Sequence, residues 1–116
     1  MNIPNDNVRL HLDVSTGHVT KRDMELLEHD SDNRNNASME EYTVPCCWYR
    51  YGMIVFVMDH DDLKEDHELL LKQYRDNSGY SEAFCGLIRL AWETNADMIR
   101  LDRDGMVNNN LPTFDW

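Results

Sequence analysis

Nearly all of this chain's net negative charge falls in two windows of ten residues, and a fold must bring both to its surface while the segments around them supply the core. The first window holds Asp23, Glu25, Glu28, Asp30 and Asp32 with no Lys or Arg. The second holds Asp59, Asp61, Asp62, Glu65, Asp66 and Glu68 against Lys64 alone. Each carries −5, so the two account for −10 of a formal −11. Carboxylates are seldom fully buried unless paired, which assigns these windows to outward faces. The remaining residues are close to electroneutral.

Hydrophobic periodicity supplies the elements between and around the windows. Val8, Leu10, Leu12 and Val14 alternate with Arg9, His11 and Asp13, which predicts a half-buried strand ending at Ser15-Thr16-Gly17. Thr20 with Asp23 three residues on reads as a helix N-cap with a capping-box variant, placing Met24 and Leu27 inward and Glu25 and Glu28 outward. The polar stretch from Ser31 to Ser38 reads as a loop. Tyr42 to Tyr51 and Met53 to Met58 are aromatic and β-branched, and Gly52 between them marks a hairpin turn or a bulge.

Asp59, Asp61 and Asp62 introduce a helix with Leu63, His67, Leu70, Leu71 and Tyr74 at helical spacing, stopped by Asn77-Ser78-Gly79. Ser81 caps a third helix in which Phe84, Leu87, Ile88 and Ala91 form one face and Gly86 offers close approach. Met98, Ile99 and Leu101 read as a last strand before the turn Arg103-Asp104-Gly105. The tail, Leu111 to Trp116, ends on aromatics expected to dock on the body. The expected fold is one α+β domain over residues 1–116: a small mixed or antiparallel sheet of about four strands with two to three helices on one face.

No apolar run approaches the ~20 residues that span a bilayer, and the N-terminus has no signal-peptide pattern, so a cytoplasmic setting without membrane contact is expected. The adjacent pair Cys46 and Cys47, with Cys85, reads as three reduced thiols.

Two segments carry a resemblance. Leu12-Asp13-Val14-Ser15-Thr16-Gly17-His18-Val19-Thr20, and Leu101-Asp102-Arg103-Asp104-Gly105 together with Leu111-Pro112-Thr113-Phe114-Asp115-Trp116, resemble a family of small bacterial, phage and plasmid proteins of unknown function. The resemblance implies a mobile-element setting and brings no catalytic role with it.

Three constellations bear on chemistry. Asp59, Asp61 and Asp62 with Asp102 could hold a divalent metal for phosphoester hydrolysis, though helix capping accounts for the same residues. Ser15, Thr16, Gly17 and His18 sit between strand and helix, where hydroxyls and amides can hold an anion and His18 could act as a base. Trp48, Tyr49 and Tyr51 could stack on bases, but net acidity opposes direct nucleic-acid binding. No motif implies a cofactor.

The leading expectation is therefore a non-catalytic acidic inhibitor of anti-CRISPR or antirestriction type. It would block a basic nucleic-acid-binding surface of a host protein or complex through Glu25, Glu28, Asp30, Asp59, Asp61, Asp62, Glu65 and Glu68. The alternatives are an immunity protein for a nuclease toxin, a small hydrolase using Asp59, Asp61 and Asp102, and a ligand-binding or homodimeric domain using the aromatic hairpin and the third helix.

Overall fold

Among the described residues, four short strands and three helices divide the apolar side chains between one sheet face and the helices laid against it. The computed structural model describes residues 10–33, 44–57 and 67–116. Strand β1 (His11–Ser15) leads through a 3₁₀ turn, Thr16–His18, into helix α1 (Lys21–Asn33). A hairpin follows, β2 (Cys46–Tyr49) and β3 (Gly52–Phe56). Helix α2 (His67–Gln73) closes in a π-helical turn over Tyr74–Ser78, and then come α3 (Glu82–Glu93) and β4 (Met98–Asp102). The sheet order is β1-β4-β3-β2, with β1 parallel to β4 and the other neighbours antiparallel. This is the expected α+β architecture, a mixed four-stranded sheet with three helices.

Register puts the buried residues of all four strands on one side. Val14 stands beside Leu101, Leu101 beside Met53, Ile99 beside Val55, and Val55 beside Cys46, and all six are buried. Leu27 of α1 and Phe84, Leu87, Ile88 and Ala91 of α3 complete the same core. Helix α3 is thus the core helix, with Phe84, Cys85, Leu87, Ile88, Ala91 and Trp92 buried. The Cys46 thiol donates to the Leu27 carbonyl at 3.4 Å and the Cys85 thiol to the Leu71 carbonyl at 3.8 Å. None of the three cysteines is in a disulfide. Burial pushes the Cys85 thiol up to about 11, as suits a packing residue rather than a nucleophile.

The glycines act differently from the expectation drawn from sequence. The hairpin turn is Arg50-Tyr51, and Gly52 is already the first residue of β3. Its role is close approach: a Cβ there would meet the Leu101 carbonyl oxygen at 1.8 Å. Gly86, expected to sit against a neighbour, has nothing within 4 Å of a built Cβ. Gly79 stops the α2 segment in the left-handed region at φ 91°, as its place after Asn77-Ser78 predicts.

The capping box on α1 forms. The Asp23 amide donates to Thr20 Oγ1 at 3.0 Å and the Thr20 amide to Asp23 Oδ2 at 2.9 Å. Asp23 does more than cap, because it is fully buried and also accepts from the Ser81 amide at 2.8 Å and the Ser81 hydroxyl at 2.5 Å. Ser81 is in turn the N-cap of α3, accepting from the Phe84 amide at 3.1 Å. One carboxylate therefore joins the starts of α1 and α3. Asp30, near the other end of α1, is also buried and accepts from the Val44 amide at 3.0 Å and the Tyr80 hydroxyl at 2.6 Å. Burial, reinforced by that bond, holds Tyr80 strongly in its neutral, donating form.

Asp23→Ala is expected to lower stability by about 3 kcal/mol, because buried amides and a hydroxyl lose their acceptor together. Equilibrium urea unfolding checks this; a loss below about 0.5 kcal/mol, the range of ordinary surface substitutions, would contradict the hub role.

Candidate functional site

The tail of the chain is held against the first turn by a buried histidine. His18 is 1% exposed. Its Nε2 accepts from the Asn108 amide at 2.8 Å, which leaves Nδ1 to donate to the Pro112 carbonyl, also at 2.8 Å. Both bonds together require the neutral ring with its proton on Nδ1. The Phe114 amide then donates to the Gly17 carbonyl at 2.8 Å, and the Trp116 indole donates to the Val19 carbonyl at 3.0 Å. The two sequence segments that carry the resemblance thus meet in space, one clamping the other.

This docking builds a cleft of about 630 Å³. The tail lines it with Phe114 and Trp116, and the hairpin with Trp48, Tyr49, Arg50 and Tyr51. Ser15, Thr16 and Gly17 contribute from the 3₁₀ turn, Met24 and Glu28 from α1, and Arg103 from the turn after β4. Several of its rings stay open to solvent, Trp48 at 43% and Trp116 at 56%. Aromatic surface of this extent normally finds a covering partner, which makes the cleft the strongest candidate for a binding site. The Arg50 guanidinium lies over the Tyr51 ring, 5.2 Å from its centroid.

A shallower hollow of about 450 Å³ adjoins it, sharing Tyr49 and Tyr51 and lined also by Asp13, Arg100 and Asp102. Asp13, Arg100 and Asp102 are already engaged there, and Asp104 adds a further carboxylate to its lining. Arg100 Nε donates to Asp13 Oδ1 at 2.6 Å, and the Tyr49 hydroxyl to Asp102 Oδ2 at 2.6 Å. Partial burial and that bond push Tyr49 up to about 12, while the Tyr49 hydroxyl and the Asp104 amide hold the Asp102 carboxyl below the usual range. Asp102 is committed to the β4 turn and Tyr49.

The residues expected to form one acidic face are not alike. Glu25 and Glu28 are exposed on α1, as anticipated, and Asp32 is exposed beside them. Asp30 differs from the expectation: it is largely buried and accepts from the Val44 amide and the Tyr80 hydroxyl, with its other oxygen 3.6 Å from His29 Nδ1. Asp23, counted in the same acidic window, is internal as well. Glu68 is exposed but engaged by Arg89 in a fork, with both nitrogen–oxygen distances 3.0 Å, and that pairing holds its carboxyl below the ordinary range. Asp59, Asp61, Asp62 and Glu65 lie outside the described residues.

The metal reading rested on Asp59, Asp61 and Asp102, of which only Asp102 is described. Among the described residues no three His, Cys, Asp or Glu side chains gather as a metal site would require. The proposed base at His18 is also corrected, since both its nitrogens are engaged and the Gly17 amide is spent on Ser15 Oγ at 3.0 Å.

The hairpin aromatics and the docked tail are each legible in the sequence, but their meeting at one cleft is not. The available signal is His18, a polar side chain between the Ser15-Thr16-Gly17 turn and the apolar Val19. The chain belongs to DUF5983, a family of unknown function, the model of whose C-terminal domain matches residues 11–116. Comparison with curated proteins and with solved structures returned no match. Among the described residues no helix is long and apolar enough to cross a membrane.

Replacing His18 by alanine is expected to free the tail and cost about 2 kcal/mol, since the Asn108 amide and the Pro112 carbonyl lose their partner. Tryptophan emission should shift to the red as Trp116 leaves Val19, and limited proteolysis should remove the last residues. Unaltered emission and protease resistance would show that the tail does not depend on this clasp.

Proposed function

We propose that this domain is a non-catalytic interaction module whose recognition site is the cleft between the hairpin and the C-terminal tail. The observation that carries this reading is the group of solvent-open rings, Trp48, Tyr51, Phe114 and Trp116, brought to one cavity from segments far apart in the sequence. Those side chains stack and bury; with Arg50, Arg103 and Glu28 they form a set suited to holding a ligand in place. The setting is a cytoplasm, in keeping with the three thiols that form no disulfide. A bacterial, phage or plasmid origin agrees with the resemblance carried by the two clamped segments.

A second reading has its own support in α1. Glu25, Glu28 and Asp32 project outward from successive turns, with Glu28 on the cleft wall, so an acidic ridge flanks the aromatic surface. In this reading the ridge, continued by whichever of Asp59, Asp61, Asp62 and Glu65 lie near it, occupies a basic nucleic-acid-binding surface of a host defence protein, as an anti-CRISPR, antirestriction or immunity protein would.

Affinity capture from host lysate, with quantitative mass spectrometry, separates the two. For a cleft module, W48A/W116A should lose specific partners by at least about tenfold while Glu25→Lys with Glu28→Lys mainly slows association. Partner loss from the charge reversals alone, with the tryptophan variant unaffected, would overturn the cleft reading in favour of acidic mimicry.

A further inference from the structure

Resting on the cleft as the recognition site, we infer that its ligand is a free nucleotide, with the base stacked on the aromatic rings and the phosphate held by Arg50 and Arg103. The charge pattern carries the choice. The chain has 22 carboxylate residues against 11 Lys and Arg, so an arginine readily finds a carboxylate partner. Four described arginines do so: Arg22 with Glu25, Arg75 with Glu82, Arg89 with Glu68 and Glu82, and Arg100 with Asp13. Arg50 and Arg103 form no ion pair among the described residues, and both line the aromatic cleft. Two guanidinium groups without a close carboxylate partner among the described residues, set among exposed rings in so acidic a protein, are an arrangement for a ligand that brings both negative charge and a flat face.

Arg50 and Arg103 flank Tyr51 at the tip of the hairpin. The Arg50 guanidinium lies over its ring, and the Arg103 amide donates to its carbonyl at 3.0 Å. Guanidinium groups match the geometry of phosphate oxygens, and Trp48 and Trp116 offer faces on which any base can stack. The Thr16 hydroxyl on the adjoining turn adds a group able to bond a sugar or phosphate.

Size and net charge separate a nucleotide from a strand. About 630 Å³ lies in the range of small-molecule sites. An extended polyanion would meet the repulsion of the whole chain at every further phosphate, and Glu28 on the wall opposes a run of phosphates through the cleft. One nucleotide needs only the two local arginines.

The intact chain is titrated with AMP, GMP, CMP and UMP, with adenosine, with inorganic phosphate and with a single-stranded decamer. The readouts are tryptophan fluorescence and the nitrogen–proton shifts of the Arg50 and Arg103 side chains. At least one mononucleotide should bind saturably below about 1 mM and shift both arginines, and its nucleoside and phosphate alone should be at least about tenfold weaker. R50Q/R103Q, whose unfolding midpoint and far-UV spectrum should match the parent, should lose at least about tenfold in affinity. No saturable shift with any mononucleotide, or affinity undiminished in the double variant, would overturn the assignment. Tighter binding of the decamer than of its mononucleotides would overturn it in favour of a strand. If nucleotides fail while W48A/W116A still abolishes partner capture, the cleft is a protein-docking site; if both fail, the cleft reading falls with the ligand.

Discussion

A buried carboxylate, Asp23, ties the first turns of two helices together, and the shape of the cleft follows from that tie. Its oxygens accept from Thr20 and Ser81, which are the caps of α1 and α3. Burying a carboxylate is unfavourable unless its lone pairs are met, and here several short bonds meet them, so the helices can start in only one relative position. Fixing Thr20 fixes Val19 and His18 just before it. Those residues hold the tail, through the Trp116 indole on the Val19 carbonyl and the two ring nitrogens of His18. The tail then stands as one wall of the cleft. A chain of local constraints thus runs from a capping box to the cleft.

The same helix explains why its acidic window divides. Asp23, Leu27 and Asp30 are spaced i, i+4, i+7, so they share the stripe of α1 that faces the core. Glu25, Glu28 and Asp32 fall on the outward stripe. Counting charge along the sequence merges two populations that helical geometry separates: internal acceptors that join elements, and solvated carboxylates. The helical period alone carries this distinction, and net charge per window conceals it.

Much of the architecture was legible in the residues. The alternation from His11 to Ser15, the Thr20 and Ser81 caps, the apolar face of α3 and the Gly79 stop each have a local cause and appear in the fold, whereas Leu10, expected on the buried face, is exposed and Val8 lies outside the described residues. Two things were not legible, because they depend on contacts distant in sequence. The turn fell on Arg50-Tyr51, and Gly52 was required instead by the closeness of the β4 backbone, which no local pattern encodes. The cleft joins Trp48 to Trp116 through strand register and tail docking, neither of which leaves a periodic trace. Arg50 and Arg103 stand apart from the other described arginines only in the fold, where Arg22, Arg75, Arg89 and Arg100 pair with carboxylates distributed along the chain.

The central claim is that the tail closes on the turn after β1 and so creates the cleft. The most direct measurement is the nuclear Overhauser pattern and solvent-exchange rate of the Trp116 indole proton in solution. The account predicts cross-peaks from that proton to Val19 and Thr20, with exchange slowed well below that of a free indole by its bond to the Val19 carbonyl. An indole proton exchanging at the free rate, with no cross-peak to Val19 or Thr20, would contradict it.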